Sequence, residues 1–162
     1  KLGKCVFHKS MLQKDLADLC EKKNIIILKM IRRVVTHWNM TSNMIGHGLQ
    51  LQPVLDALCI KSEHNKSKPP TKRLKYLRLH DVEWTVLQQL HPIFVNFLKA
   101  MDRISRSGVP LLHEVIPTMD ILMQELEKAL KNNSLMPCMR AGVSRGLAII
   151  DKYYSKTDES IM

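Results

Sequence analysis

Apolar residues recur along most of the chain at the three- and four-residue spacing of one helix face. The first such stripe lies within residues 10–20 and consists of Leu12, Leu16 and Leu19. Ser10 and Gln13 are spaced as a capping box, in which each side chain hydrogen-bonds the backbone of the other residue. The pattern therefore predicts a short amphipathic helix that begins at Ser10.

A second helical pattern extends from Thr41 to Leu55. Pro53 lies inside it and is expected to bend the helix, because proline lacks an amide hydrogen and clashes with the preceding turn. The segment before it, residues 24–35, mixes β-branched apolar residues with basic ones. Its pattern fits a strand as well as a helix, so both alternatives stay open.

Three longer helical patterns occupy the second half of the chain. The first follows Asp81, carries a wide apolar stripe and is expected to kink near Pro92. The second follows the turn SRSGVP and ends at the polar residues NNS. The third begins at Pro137, a residue type favoured in the first helical turn, and continues to Tyr154. Trp84 is expected to pack at the start of the first of these helices.

Residues 59–80 have a different character, with seven basic residues, one acidic residue and two adjacent prolines. This composition predicts an exposed, mobile basic loop. The chain is therefore divided into an N-terminal helical segment, 1–58, the loop, 59–80, and the long helices, 81–162. Together they are expected to form one domain that is incomplete at both ends.

The composition agrees with a mainly α fold. Hydrophobic residues make up 45% and charged residues 25% of the 162 residues, which are ordinary values for a globular domain. Aromatic residues are sparse at 5%, whereas ten methionines accompany many leucines and isoleucines. Such side chains favour helix–helix packing over a β-sandwich. The predicted architecture is a helical bundle.

Charge indicates a class of partner. The 25 Lys and Arg residues exceed the 15 Asp and Glu residues, which gives a formal net charge of +10. A polyanion is the natural partner of such a chain, although a basic composition also serves solubility alone. No apolar run reaches the roughly 18 residues that span a bilayer, so no membrane partner is expected.

The chain shows no pattern typical of an active site or a metal site. It lacks a glycine-rich phosphate loop, a His-Glu-x-x-His pair and a Gly-x-Ser-x-Gly turn. The four cysteines are widely spaced, and a Cys-x-x-His fragment at Cys5 and His8 has no second half at zinc-finger spacing. No catalytic residue and no metal ligand are predicted, and reduced thiols are expected.

Four sequence blocks resemble those of hAT-superfamily transposases. The segment VVTHWNMTSNMI resembles the family motif Thr-Arg-Trp-Asn-Ser-Thr, and the matching residues are Thr36, Trp38, Asn39 and Thr41. Three further blocks follow in the family's order: EWTVLQQLHPIFVNFLKAMDRIS, GVPLLHEVIPTMDILMQEL with its two prolines, and GLAIIDKYYSKTDES with its Lys-Tyr-Tyr. The resemblance covers nearly everything from about residue 30 onward.

The resemblance implies that the chain is the helical insertion domain of an RNase H-like transposase core. The family's catalytic triad of two aspartates and a glutamate holds two divalent metals for attack on a phosphodiester. The aspartates are expected before Lys1 and the glutamate beyond Met162, so this chain alone is expected to show no activity and to hold no cofactor. A complete parent enzyme would use Mg²⁺ or Mn²⁺ in the nucleus. Any homo-oligomer would form through segments outside this chain.

The resemblance also implies a role for Trp38, because the family associates this tryptophan with DNA hairpin formation. An aromatic face can replace the stacking that an extruded base has lost. The family has an arginine where this chain has His37. The guanidinium of arginine is permanently charged, whereas the imidazole of histidine is mostly neutral at pH 7. Met40 replaces the family's serine. Trp38, His37 and Asn39 are therefore candidate DNA-binding residues.

The basic loop supplies the other candidates for DNA binding. Its side chains are able to neutralise phosphates without reading sequence, and they are Lys66, Lys68, Lys72, Arg73 and Lys75. The alternative is that the loop is only a solvated connection.

The expected function is DNA binding in support of cut-and-paste transposition. The alternative is a non-catalytic helical protein-interaction module, or a transposase relic that no longer binds DNA. Salt dependence separates the two, because phosphate binding weakens steeply as salt rises.

Overall fold

The described residues of the chain are almost entirely helical. The structure is a computed structural model that describes residues 1–28, 38–66, 69–105 and 112–159, and no β-strand occurs among them. The α-helices are α1 Leu2–Phe7, α2 Ser10–Lys22, α3 Trp38–Gln50, α4 Gln52–Ile60, α5 Asp81–Ile104, α6 Leu112–Lys131 and α7 Pro137–Glu159. Between α4 and α5, the described residues form three short 3₁₀ helices, Ser62–His64, Pro70–Lys72 and Leu74–Leu77. The prediction of a mainly α fold is confirmed.

The chain divides into two compact units. The N-terminal unit comprises Lys1–Leu87 and the C-terminal unit comprises Gln88–Met162, so that α5 begins in the first and continues into the second.

The core of the N-terminal unit forms where α2 packs against α4 and where α4 packs against the turn Leu74–Leu77. α1, the junction of α3 and α4, and the start of α5 also contribute to it. Its buried side chains are Val6, Leu12, Leu16, Cys20, Leu51, Val54, Leu55, Leu58, Cys59, Leu74 and Trp84. The leucine stripe predicted for α2 faces this core, with Leu12 and Leu16 each 4% exposed. Trp84 is buried as predicted.

The predicted capping box at the start of α2 is wrong. Ser10 is the first helical residue, and Lys9 in the cap position makes no side-chain cap hydrogen bond. Gln13 instead donates from Nε2 to the backbone oxygen of Phe7 at 2.6 Å. The reason is that α1 ends just before α2, so an unpaired carbonyl at the end of α1 lies within reach of Gln13.

The single bent helix predicted from Thr41 to Leu55 is two helices. α3 already begins at Trp38 and ends at Gln50, and α4 begins at Gln52. Leu51 between them is fully buried. Pro53 lies in the first turn of α4, where its missing amide hydrogen costs no helical hydrogen bond. The proline therefore marks a helix start rather than a bend.

The prediction of an exposed loop over residues 59–80 is wrong for several described residues. α4 continues to Ile60, and His64 and Leu74 are buried. The Asn65 amide donates to the backbone oxygens of Cys59 and Lys61, and its Oδ1 accepts from the backbone N–H of Lys75. These contacts hold the start of the segment next to its later part. Residues 59–80 are here named the basic segment.

The C-terminal unit is built mainly on the packing of α6 against α7. Its buried apolar residues include Leu122 and Leu126 of α6 together with Met139, Val143 and Ile150 of α7. The predicted end of α6 near NNS and the predicted start of α7 at Pro137 are confirmed, whereas α7 continues beyond Tyr154 to Glu159.

Polar side-chain contacts connect the elements of the C-terminal unit. The side chain of Gln89 on α5 donates to the backbone oxygen of Ser134 and accepts from the backbone N–H of Met136. The hydroxyl of Tyr154 donates to Asp120 of α6 at 2.8 Å. Pro92 lies inside the continuous helix α5.

Candidate nucleic-acid interface

Positive charge is concentrated in the N-terminal unit. Residues 1–87 contain sixteen Lys and Arg against seven Asp and Glu, whereas residues 88–162 contain nine against eight. The net charge is therefore +9 in the N-terminal unit and +1 in the C-terminal unit. A polyanion would be attracted to the first unit far more strongly than to the second.

Three of the predicted DNA-binding lysines are exposed on the basic segment. Lys66, Lys72 and Lys75 are all exposed. Within the part of the chain that the structure describes, no carboxylate lies within ion-pair distance of any of them. The backbone N–H of Lys75 donates to Oδ1 of Asn65, the residue before Lys66. The backbone at Lys66 therefore lies close to the backbone at Lys75. Their charge is thus available to a phosphate.

The other predicted residues are placed differently. Arg73 is only partly exposed. Trp38 is the first residue of α3. Asn39, the next residue, is partly buried, and its Oδ1 atom has no hydrogen-bond partner among the described residues. His37 and Lys68 lie outside the described residues, as does most of the segment 24–35. The structure therefore brings together Lys66 and Lys75, while the Trp38 motif stands on a separate element.

A surface groove is lined by Lys75 together with residues that the sequence pattern did not select. It is lined by Ile60, Asn65, Lys75, Tyr76, Arg78 and His80. Ile60 and Tyr76 are each 61% exposed, and the Lys75 ammonium lies 5.1 Å from the centre of the Tyr76 ring. Arg78 is anchored through Nε to Asp56 at 3.0 Å. The signal in the sequence was an aromatic residue between basic ones, KYLR, which is typical of nucleic-acid surfaces.

A polar cluster joins α2 to the first 3₁₀ turn of the basic segment. His64 donates from Nε2 to one oxygen of Asp15 at 2.6 Å, and the Lys61 ammonium binds the other oxygen at 2.9 Å. Lys61 also binds Glu63 at 3.1 Å. No local sequence pattern indicates this cluster, because Asp15 and His64 are 49 residues apart.

The same cluster has the donor set of a metal site, since ligand atoms of Asp15, Glu63 and His64 lie within 4.8 Å of one another. A metal ion does not suit this arrangement, because the Lys61 ammonium already binds both carboxylates and would repel a second cation. The geometry fits an internal ion-pair network that fixes the basic segment to α2.

The pKa of Asp15 is lowered, first by the hydrogen bond from Lys61 and then by that from His64, against an opposing effect of burial. A carboxyl with a lowered folded-state pKa adds stability above its unfolded pKa of about 3.8. That stability is lost as the pH falls through the folded-state value.

Asp15→Asn is therefore expected to destabilise the protein near pH 7 by about 1–3 kcal/mol, because the variant cannot accept two charge-assisted hydrogen bonds. The gap from the wild type should shrink as the pH falls below about 4. Urea unfolding at a series of pH values measures it, with Asp18→Asn on the exposed side of α2 as the matched control. Equal stability of wild type and Asp15→Asn at pH 7 would show that the cluster does not hold the segment.

The buried thiols of the N-terminal unit are not suited to nucleophilic chemistry. Burial, assisted by the nearby Asp56 carboxylate, raises the pKa of Cys59 to about 11, and burial also raises the pKa of Cys20. Both thiols stay protonated at neutral pH, and the protonated form is neither a nucleophile nor a metal ligand. They act as small apolar core residues.

No helix among the described residues combines the length and the apolar content needed to cross a bilayer. Comparisons with protein-family models, curated proteins and solved structures found no match to the chain. Function is therefore inferred from the residues of this chain and their geometry.

Proposed function

We propose that the chain is a DNA-binding helical domain of a hAT-like transposase and that its N-terminal unit binds the phosphate backbone. The observation that carries the proposal is the set of exposed lysines on the basic segment, Lys66, Lys72 and Lys75, none of which has an acidic partner among the described residues.

Anchoring of the basic segment favours binding. The contacts of His64, Asn65 and Leu74 fix the segment on the unit's core, so that part of the entropic cost of ordering it is met by folding rather than by binding. Lysines that neutralise phosphates release condensed counterions, which supplies affinity for any DNA sequence. The interface thus positions the protein on DNA without reading bases.

The connection to transposition is supported by the four hAT-like blocks and their order along the chain. A mainly helical chain is consistent with the insertion domain that the resemblance implies. Under this proposal Trp38, at the start of α3, stacks on an extruded base of a DNA hairpin. Strand transfer with Mg²⁺ or Mn²⁺ would belong to a complete parent enzyme acting in the nucleus, since its triad is not expected within this chain.

Removal of one lysine of the basic segment is the experiment that tests the proposal. Lys72→Ala is expected to weaken binding to a DNA duplex roughly tenfold at about 100 mM salt, and to reduce the salt slope by about one phosphate contact. Fluorescence anisotropy with a labelled duplex measures both quantities.

Lys131→Ala is the matched control, because Lys131 is also exposed but lies at the end of α6 in the nearly neutral C-terminal unit. Both variants remove one positive charge, so a difference between them reports position and not net charge. If the two variants weaken binding equally, the basic segment is not the interface.

A protein-interaction role is the second candidate, and exposed isoleucines of the C-terminal unit favour it. Ile116 and Ile121 of α6 are 42% and 49% exposed, and Ile149 of α7 is 58% exposed. Apolar contacts with a partner protein would depend little on salt, unlike phosphate contacts.

A further inference from the structure

Two large apolar side chains are exposed in the groove that Lys75 lines. Ile60 at the end of α4 and Tyr76 in the turn Leu74–Leu77 are each 61% exposed, and both line the same groove. Single exposed apolar residues are common on protein surfaces, but an aromatic and an aliphatic side chain in one groove form a surface on which a flat ring can lie.

Cationic side chains surround this apolar surface. The Lys75 ammonium lies 5.1 Å from the centre of the Tyr76 ring, and Arg78 lines the groove while Asp56 holds its Nε. A guanidinium has four further N–H donors, which suit phosphate oxygens. A ligand with a flat ring close to a negative charge fits both features, and a nucleotide is such a ligand.

Asn65, the groove's amide side chain, is occupied by the fold itself. Its Nδ2 donates to the backbone oxygens of Cys59 and Lys61, and its Oδ1 accepts from the backbone N–H of Lys75. This side chain therefore shapes the groove wall and has little capacity left to read a base edge. Binding in the groove should tolerate any base, because stacking does not depend on hydrogen-bond patterns.

We propose that this groove binds an unpaired nucleotide of single-stranded DNA, with the base against Tyr76 and Ile60 and the phosphate held by Lys75 and Arg78. The proposal deepens the proposed function and rests on it. A base inside a duplex is stacked on both faces, so only an unpaired base can offer its face to Tyr76. The groove thus distinguishes unpaired from paired DNA without recognising a sequence.

The test compares an oligothymidine with an abasic strand of equal length, which carries the same phosphates but no bases. Binding of the full chain to each is measured by fluorescence anisotropy. The wild type is expected to bind oligothymidine at least about fivefold more tightly, the lower limit for stacking of one base. Tyr76→Leu should abolish this preference and leave the affinity for the abasic strand unchanged.

Two further variants separate stacking from loss of structure. Tyr76→Phe keeps the ring and should keep the preference. Tyr153→Leu is the matched control, because Tyr153 is 60% exposed but lies on α7 in the C-terminal unit. This variant should behave as the wild type does.

Three outcomes would overturn the proposal. The first is equal affinity of the wild type for the oligothymidine and the abasic strand. The second is equal weakening of binding to these two strands by Tyr76→Leu. In either case, salt-sensitive duplex binding that depends on Lys72 would leave the proposed function intact. Absence of binding to duplex, oligothymidine and abasic strand alike at low salt would overturn both.

Discussion

Leu58→Ala is expected to lower the free energy of unfolding of the N-terminal unit by about 2–5 kcal/mol. Leu58 lies on α4 and is fully buried in the cluster that α2, α4 and the turn Leu74–Leu77 share. Truncation removes the transfer free energy of the lost methyl groups and leaves a cavity among residues that cannot fully collapse around it. A loss of this size is a large fraction of the stability of an ordinary domain.

Ile60→Ala provides the control for this prediction. Ile60 lies two residues further along the same helix but is 61% exposed, so its truncation should change the unfolding free energy by less than about 0.5 kcal/mol. Urea unfolding followed by helical circular dichroism measures both variants. Similar losses for the two would mean that α4 does not bury Leu58 as the structure places it.

Local sequence patterns predicted those elements whose signals are repeated over several turns. The leucines of α2, the apolar stripe of α6 and the proline at the start of α7 are such signals, and the helices lie where they indicate. A long periodic stripe identifies a helix because burial of one face stabilises every turn. The mainly α class could therefore be predicted from the sequence alone.

Features that depend on contacts between distant residues could not be predicted in this way. The ion pairs of Asp15 join residues more than 40 positions apart, and no local sequence pattern indicates them. The same contacts anchor a segment whose own composition is typical of a loop. The prediction of a capping box was wrong for a similar reason. Gln13 donates instead to the backbone oxygen of Phe7 at the end of α1.

The candidate interface was only partly predictable. Lys66, Lys72 and Lys75 were selected by composition, and the structure places them on the surface. Tyr76 and Arg78 were not selected, because the exposure of Tyr76 and the ion pair of Arg78 with Asp56 depend on tertiary packing. The hAT-like motif at Trp38 came from resemblance, and its role on DNA stays a prediction.

A steep salt dependence of DNA binding is the second large effect expected. Three lysines without acidic partners among the described residues would neutralise about three phosphates, which gives a slope of about −2.7 in a plot of log affinity against log salt. Affinity for a duplex should then fall about 40-fold between about 50 and 200 mM salt. Lys72→Ala should flatten the slope to about −1.8, since one released counterion is lost.

A salt series with a labelled duplex decides whether the chain binds DNA through its phosphates. It counts the phosphates that the chain neutralises and needs no assumption about the DNA sequence. We expect tight binding at low salt, a slope of about −2.7, and a shallower slope for Lys72→Ala but not for Lys131→Ala. Absence of binding at low salt by the folded chain, or an affinity that does not change with salt, would contradict a role in binding DNA.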